Sequence, residues 1–173
     1  MANIIIYYSR TGENYWAGGV KNISKGNTER VAEFVQEAVG GELFEVRTVK
    51  EYPADYYQCI DEAKTELQEG ARPEGEEIPD VSDYDTIFLG YPNWWGTMPM
   101  CMYTVIDALA ANGGLQGKRI CPFCTNEGSG LGGSVKELRK IATGATVEKG
   151  LSITGNRAAQ SPAEAARWAK SLA

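Results

Sequence analysis

The sequence predicts an α/β protein with a doubly wound, five-stranded parallel sheet and helices on both of its faces. Short apolar runs rich in β-branched residues alternate with longer segments of helical periodicity five times along the 173 residues, which is typical of consecutive strand–helix units. The first run, from Ile4 to Tyr8, is apolar throughout, as expected for a strand that is buried on both faces. This length predicts a single domain over residues 1–173.

Similar apolar runs predict the other four strands, at residues 42–46, 86–91, 118–125 and 146–153. We expect the last of these to bend at Gly150. Helical periodicity predicts the helices, at residues 28–39, 53–70, 99–112, 133–142 and 162–172. The last helix has the strongest start signal, because Ser161 is placed to cap it and Glu164 to complete a capping box.

Composition excludes several classes of function. The chain contains no histidine, which excludes histidine metal sites and Ser-His triads, and no metal site is expected. Its net charge of −6 makes nucleic acid and anionic membrane surfaces unfavourable partners. Cys121 and Cys124 lie within a predicted strand, so we interpret them as buried structural thiols rather than a redox pair. With no basic leader and only a short apolar run at the N-terminus, a cytoplasmic location is expected.

The loops after the first, third and fourth strands carry the functional signal. In a doubly wound sheet, ligands bind beyond the carboxyl ends of the strands, where the strand order reverses. These three loops are therefore expected to meet at one edge of the sheet.

The first loop has two halves, Ser9-Arg10-Thr11-Gly12 and Asn27-Thr28-Glu29, separated by the fourteen residues from Glu13 to Gly26. Hydroxyl groups together with the free N–H groups of a helix N-terminus can surround a phosphate. The alternative is that these small polar residues only cap the helix.

The second loop contains two adjacent tryptophans, and the third is rich in glycine. Trp94 and Trp95 must pack either on protein or on a planar ligand, because exposing both rings to water is unfavourable. Four glycines between Thr125 and Gly133 provide little steric bulk, and we expect their free N–H groups to approach a ring edge. Together the loops offer a phosphate site, an aromatic surface and a polar rim.

These motifs resemble the flavodoxin family, and within it the flavodoxin-4-type branch. The two halves of the first loop are similar to the family's phosphate-binding loop, interrupted by an insert. The stretches YPNWWGTMPM and PFCTNEGSGLGGS resemble the flavin-stacking loop and the ring-edge loop of the branch. The resemblance implies non-covalently bound FMN, electron transfer and the strand order 2-1-3-4-5.

The resemblance also implies a role for each candidate residue. The phosphate is expected to bind Ser9, Thr11, Asn27 and Thr28, with Arg10 within reach of it. Pro92 and Asn93 belong to the flavin-stacking loop, Trp94 and Trp95 lie beside the isoalloxazine ring, and Gly96 is the candidate for contact with flavin N5. The ring-edge residues are Thr125, Asn126, Glu127 and Gly128. Tyr15 and Trp16 of the insert either cover the ribityl chain or pack on the surface.

Two functions remain open at this point. An electron carrier needs no catalytic residues, and its partners would be a reductase and an acceptor with basic docking faces. The alternative is an FMN-dependent NAD(P)H:quinone or nitro reductase, which would also need a nicotinamide site over the flavin. A phospho-acceptor signalling domain is disfavoured, because Ser9 and Tyr91 stand where that class needs acidic residues.

Overall fold

A computed structural model of the chain describes residues 2–173 and contains eight strands and five α-helices. The strands are β1 (Asn3–Tyr7), β2 (Gly12–Trp16), β3 (Gly19–Ile23), β4 (Glu42–Glu45), β5 (Thr86–Pro92), β6 (Arg119–Asn126), β7 (Thr146–Val147) and β8 (Leu151–Thr154). The helices are α1 (Asn27–Val39), α2 (Tyr56–Glu69), α3 (Met100–Ala110), α4 (Ser134–Ile141) and α5 (Pro162–Leu172). No helix in this range has the length and hydropathy that a membrane crossing requires.

The main sheet is parallel and confirms the predicted strand order. Its strands run β4-β1-β5-β6, and both β7 and β8 pair with the outer side of β6. The predicted fifth strand is therefore two short strands, separated at residues 148–150. Pairing of β6 with β7 ends at Ile120 and pairing with β8 begins at Phe123, so the break lies beside Pro122, which has no N–H to donate.

The sheet separates two apolar cores because successive side chains of a strand point to opposite faces. Ile4 and Ile6 of β1 pack in the core that includes α3 and α4, and α2 adds Leu67 to it. Ile5 and Tyr7 pack in the opposite core, which contains α1 and α5. Both faces of the central strands are thus covered, as their continuous apolar runs predict.

The insert forms an antiparallel hairpin that does not join the main sheet. Strand β2 pairs with β3 from Gly12 opposite Ile23 to Trp16 opposite Gly19. Ala17 and Gly18 make the turn, and both have positive φ angles, of 48° and 96°, as a tight two-residue hairpin turn requires.

The start of α5 differs from the prediction. Ser161 precedes the helix as expected, but its side chain makes no capping hydrogen bond. Its hydroxyl donates instead to the carbonyl oxygen of Ala158, at 2.6 Å. The predicted capping box is wrong because a short helical turn, Gly155–Gln160, precedes α5 and offers this nearer acceptor.

The close packing of β5 against β6 gives a test of the fold. A Cβ atom at Gly90 would lie 2.3 Å from the ring of Phe123, in a fully buried position. We expect Gly90→Ala to lower the free energy of unfolding by about 1–3 kcal/mol through overpacking, measured by urea denaturation. Gly19→Ala is the control, because a Cβ there meets open space; equal effects of the two substitutions would contradict the packing.

Candidate functional site

A cavity of about 310 Å³ lies at the carboxyl ends of the parallel strands. All three predicted loops contribute to its lining, and so does the hairpin. The predicted site residues that line it are Arg10, Asn27, Pro92, Asn93, Trp94, Trp95, Thr125, Asn126 and Glu127. The other predicted site residues adjoin the lining residues in the chain without lining the cavity themselves, and these are Ser9, Thr11, Thr28, Gly96 and Gly128.

The two halves of the first loop meet despite the insert between them. The hydroxyl oxygen of Ser9 accepts the backbone N–H of Glu29 at 3.1 Å, so a residue after β1 caps α1. Gly26 lies directly against the same loop, and a Cβ there would stand 1.9 Å from Ser9 Oγ. Only glycine permits this approach.

The first turn of α1 leaves donors free at the cavity. A helix N-terminus has backbone N–H groups without intrahelical acceptors, and here Glu29 uses its own on Ser9. Among residues 2–173, the N–H groups of Asn27 and Thr28 have no protein acceptor. Free amides at the positive end of a helix dipole are an arrangement that suits an anion.

Three buried polar side chains, those of Asn27, Thr28 and Thr125, belong to this region. The hydroxyls of Thr28 and Thr125 are 2.8 Å apart and buried, which joins the start of α1 to the end of β6. One of the two hydroxyl protons is used in the hydrogen bond between these side chains, and the other remains available for a further hydrogen bond. Asn27 is only 9% exposed, and its Oδ1 atom is buried without a hydrogen-bond partner in the described part of the chain. A buried acceptor of this kind is unfavourable until a donor reaches it.

Arg10 lies in the cavity lining, but its guanidinium is engaged by the protein. Its Nε donates to the carbonyl of Glu13 at 2.9 Å, and its terminal nitrogen donates to the carbonyls of Pro53 and Ala54 at 2.9 and 3.0 Å. The carboxylate of Glu13 in turn accepts the backbone N–H of Tyr56 at 2.8 Å. Arg10 and Glu13 therefore attach the hairpin to the N-terminus of α2.

The tryptophan loop turns tightly at Trp95 and Gly96, which have positive φ angles of 58° and 86°. Asn93 fixes this turn, because its Oδ1 accepts the N–H of Gly96 at 2.8 Å while its Nδ2 donates to the carbonyl of Gly130. The carbonyl of Gly96 accepts the N–H of Gly133 at 2.7 Å. Both polar groups of Gly96 are thus engaged within the protein, and its contact with a flavin stays a prediction.

The two tryptophans have different surroundings. Trp94 is half-buried, and its ring meets Tyr8 and Tyr52 edge to face, with centroid distances of 5.3 and 5.0 Å. Trp95 is 48% exposed, and its indole N–H donates to the carbonyl of Ile60 in α2 at 2.8 Å. Trp95 is therefore the more exposed of the two rings that line the cavity; its bond to α2 fixes its orientation, and Lys64 Nζ lies over it, 5.2 Å from its centroid.

The glycine-rich loop is held by side chains rather than left free. Asn126 Oδ1 accepts the N–H groups of Gly128 and Gly130, at 2.9 and 3.0 Å. The expectation that the glycines offer free N–H groups is wrong at these two positions and at Gly133, which donates to Gly96. The physical reason is that asparagine side chains satisfy nearby backbone donors in turns.

Glu127 joins this loop to the tip of the hairpin. Its Oε2 atom accepts the backbone N–H of Ala17 at 3.4 Å. Burial raises the pKa of Glu127, and the N–H group of Ala17 opposes that shift by stabilising the charged form.

The sequence analysis did not predict that α2 forms part of the cavity wall. Tyr56, Cys59, Ile60 and Ala63 line the cavity, but in the sequence they are only the apolar stripe of an amphipathic helix. Burial raises the pKa of the Cys59 thiol to about 11, so this cysteine is not a nucleophile at neutral pH. Ser129 of the predicted ring-edge loop also lines the cavity, as does Gly155, which carries no signal in the sequence.

Comparison with known proteins agrees with this geometry. A family model described as Flavodoxin, of the Flavodoxin_4 type, matches residues 20–171, which is most of the chain. The protein belongs to the flavodoxin family. No curated protein sequence matches this flavodoxin.

Solved structures show the same fold. A protein from Bacteroides uniformis assigned as a flavoprotein is 28% identical, with a TM-score of 0.76, and the match covers 98% of this flavodoxin and 97% of that chain. A similar protein from Bacteroides eggerthii is 26% identical, with a TM-score of 0.70 and coverages of 92% and 94%. A flavoprotein from Lactobacillus acidophilus, solved in complex with FMN, is 23% identical, with a TM-score of 0.64 and coverages of 92% and 97%.

A half-buried carboxyl next to Tyr52, which packs on Trp94, gives a pH-dependent test of the site. Glu66 accepts the hydroxyl of Tyr52 at 2.8 Å, and burial raises the pKa of Glu66 above its ordinary value of 4.5. The stability that protonated Glu66 contributes is therefore fully present below pH 4.5 and is lost as the pH rises through the raised value. We expect the free energy of unfolding of Glu66→Gln to fall less than that of the wild type between pH 4 and pH 7, measured by urea denaturation.

The control for this test is Glu69→Gln, which changes an exposed carboxylate of the same helix. The free energy of unfolding of this variant should change with pH as that of the wild type does. If Glu66→Gln also follows the wild type over this range, Glu66 does not titrate as its burial implies.

Proposed function

We propose that this flavodoxin binds FMN non-covalently in the cavity and works as an electron carrier between two redox proteins. The observation that carries the proposal is the meeting of Ser9 with the N-terminus of α1 beside a cavity that Trp94 and Trp95 line. Groups that suit a phosphate and aromatic surface that suits a flat ring thus lie close together, which supports the proposal.

The residues at the start of α1 fit a phosphate. The backbone N–H groups of Asn27 and Thr28 and the hydroxyls of Ser9 and Thr11 would hold it, together with the dipole of a thirteen-residue helix. The unpaired Oδ1 of Asn27 suits a hydroxyl donor of the ribityl chain, because a phosphate oxygen could not satisfy an acceptor. These features fit the two polar parts of FMN.

The other end of the cavity fits the ring. Trp94 and Trp95 offer aromatic surface, and the loop of Thr125, Asn126, Glu127 and Gly128 supplies the polar edge. When bound, FMN supplies the electron chemistry, because the flavin accepts and returns electrons. The protein holds the ring, excludes water from it and sets the charge around it.

The side chains that α2 contributes to the cavity favour a carrier over an enzyme that uses a tyrosine or a cysteine in catalysis. The chain has no histidine, and burial raises the pKa of both Tyr56 and Cys59, so neither serves as a base or nucleophile near neutral pH. A net charge of −6 disfavours added negative charge at the flavin and favours partners with basic docking faces. A cytoplasmic location suits a carrier with four unpaired cysteines.

Titration of the purified protein with FMN tests the cofactor. We expect one FMN to bind per chain with quenching of flavin fluorescence, and riboflavin to bind more weakly because it lacks the phosphate. Thr11→Ala should weaken FMN binding by about tenfold through the loss of a hydrogen bond to a charged group, without changing riboflavin binding.

Thr11→Ser keeps the hydroxyl and is the matched control, so its affinity for FMN should stay near that of the wild type. Equal affinities of the wild type for FMN and riboflavin would contradict a phosphate site at α1.

A steady-state assay separates the carrier from the reductase. We expect the FMN-loaded protein alone to oxidise neither NADH nor NADPH at a significant rate with a quinone or a nitroaromatic acceptor. The same protein should pass electrons to cytochrome c when a flavodoxin reductase is added. Rapid NAD(P)H oxidation without a reductase would instead favour the enzyme.

A further inference from the structure

We propose that the hairpin, Gly12–Ile23, is a strap across the cavity and that Glu127 is the positioning residue that holds its tip closed. On this view, Glu127 sets how fast FMN enters and leaves. The inference rests on the proposed binding of FMN, and it assigns a role to the insert that interrupts the phosphate loop.

The hairpin spans the cavity between two separate supports. Its residues Asn14 and Tyr15 belong to the cavity lining. On one side, Tyr15 packs on Tyr56 of α2, with ring centroids 6.1 Å apart. On the other side, the tip reaches the loop after β6 through Ala17 and Glu127. A ligand in the cavity therefore lies beneath the hairpin.

The base of the hairpin is firmly attached. Arg10 donates three hydrogen bonds, one to Glu13 and two to the segment before α2, and the Glu13 carboxylate accepts the first N–H of α2. These four bonds measure 2.8–3.0 Å. They involve charged groups, which makes each one stronger than a neutral hydrogen bond.

The tip has a much weaker attachment. A single bond of 3.4 Å joins the N–H of Ala17 to Glu127 Oε2, and residues 17–20 of the hairpin are all exposed. The nearby cation of Lys21 lies over the ring of Trp16, 4.4 Å from its centroid, within the hairpin itself. Opening at the tip therefore costs one hydrogen bond, whereas separating the base from the segment at the start of α2 costs three.

Glu127 also reaches the floor of the cavity. A methyl group at Gly155 would lie 3.0 Å from Glu127 Oε1 and 2.7 Å from the side-chain nitrogen of Asn27. One oxygen of the carboxylate thus faces the start of α1 while the other holds the hairpin tip. This arrangement couples closure of the hairpin to the polar end of the cavity.

The rates of FMN binding test this role. Glu127→Ala should raise both the association and the dissociation rate of FMN by about tenfold, because the tip no longer closes. Glu127→Gln keeps an oxygen that accepts the N–H of Ala17, so it should lower both rates again relative to Glu127→Ala. Both rates are measured by stopped-flow flavin fluorescence, and Glu37→Ala, an exposed glutamate of α1, is the control.

A second measurement does not depend on FMN. In the protein without flavin, amide hydrogen exchange of residues 13–23 should be faster in Glu127→Ala than in the wild type, while exchange of α1 and β6 stays the same. If the wild type fails to bind FMN, the proposed function is wrong, but this exchange still tests the attachment of the tip.

Three results would overturn the inference. Unchanged FMN rates in Glu127→Ala would show that the tip does not limit access. Equal behaviour of Glu127→Ala and Glu127→Gln would show that the hydrogen bond to Ala17 is not the cause. Faster exchange throughout α1 and β6 would show a general loss of structure instead of an open hairpin.

Discussion

The site depends on the contact between the end of β1 and the beginning of α1. Ser9 caps the helix by accepting the N–H of Glu29, and Gly26 allows the backbones of the two halves to touch. This contact sets the position of the first turn of α1, where the N–H groups of Asn27 and Thr28 have no protein acceptor among residues 2–173. The contact also fixes the two ends of the hairpin. It therefore determines the positions of Arg10 and Glu13, and these two residues in turn hold α2.

The site loops gain rigidity by using their polar groups internally. Asn93 and Asn126 satisfy the backbone of the tryptophan loop and the glycine-rich loop, which would otherwise be mobile. The indole N–H of Trp95 is bound to α2 in the same way. What remains for a ligand is mostly ring surface, together with the donors at α1. A preformed site of this kind loses little conformational entropy when it binds.

The sequence predicts most of the fold, because strands such as Ile4 to Tyr8 carry local signals of burial and the sheet order follows from the family resemblance. The positions of the loops follow from the rule for parallel sheets. The contribution of α2 could not be predicted, since Cys59 and Ala63 look like ordinary core positions of an amphipathic helix. The hairpin was also missed, because the polar strand Gly12–Trp16 lacks the apolar alternation of a half-buried strand. The cap at Ser161 was predicted wrongly, because nothing in the sequence indicates that the carbonyl of Ala158, three residues earlier, accepts the Ser161 hydroxyl.

The pairing of Gly12 with Ile23 has a consequence for how this chain folds. An unstructured insert would have to be closed at an entropic cost that grows with its length, whereas a hairpin brings its own two ends together. The hairpin therefore adds residues to the chain without adding distance between Ser9 and α1. Because hairpins form within microseconds, this local pairing can precede the slower assembly of the parallel sheet. Folding should therefore tolerate changes in hairpin length as long as the pairing of Gly12 with Ile23 is kept.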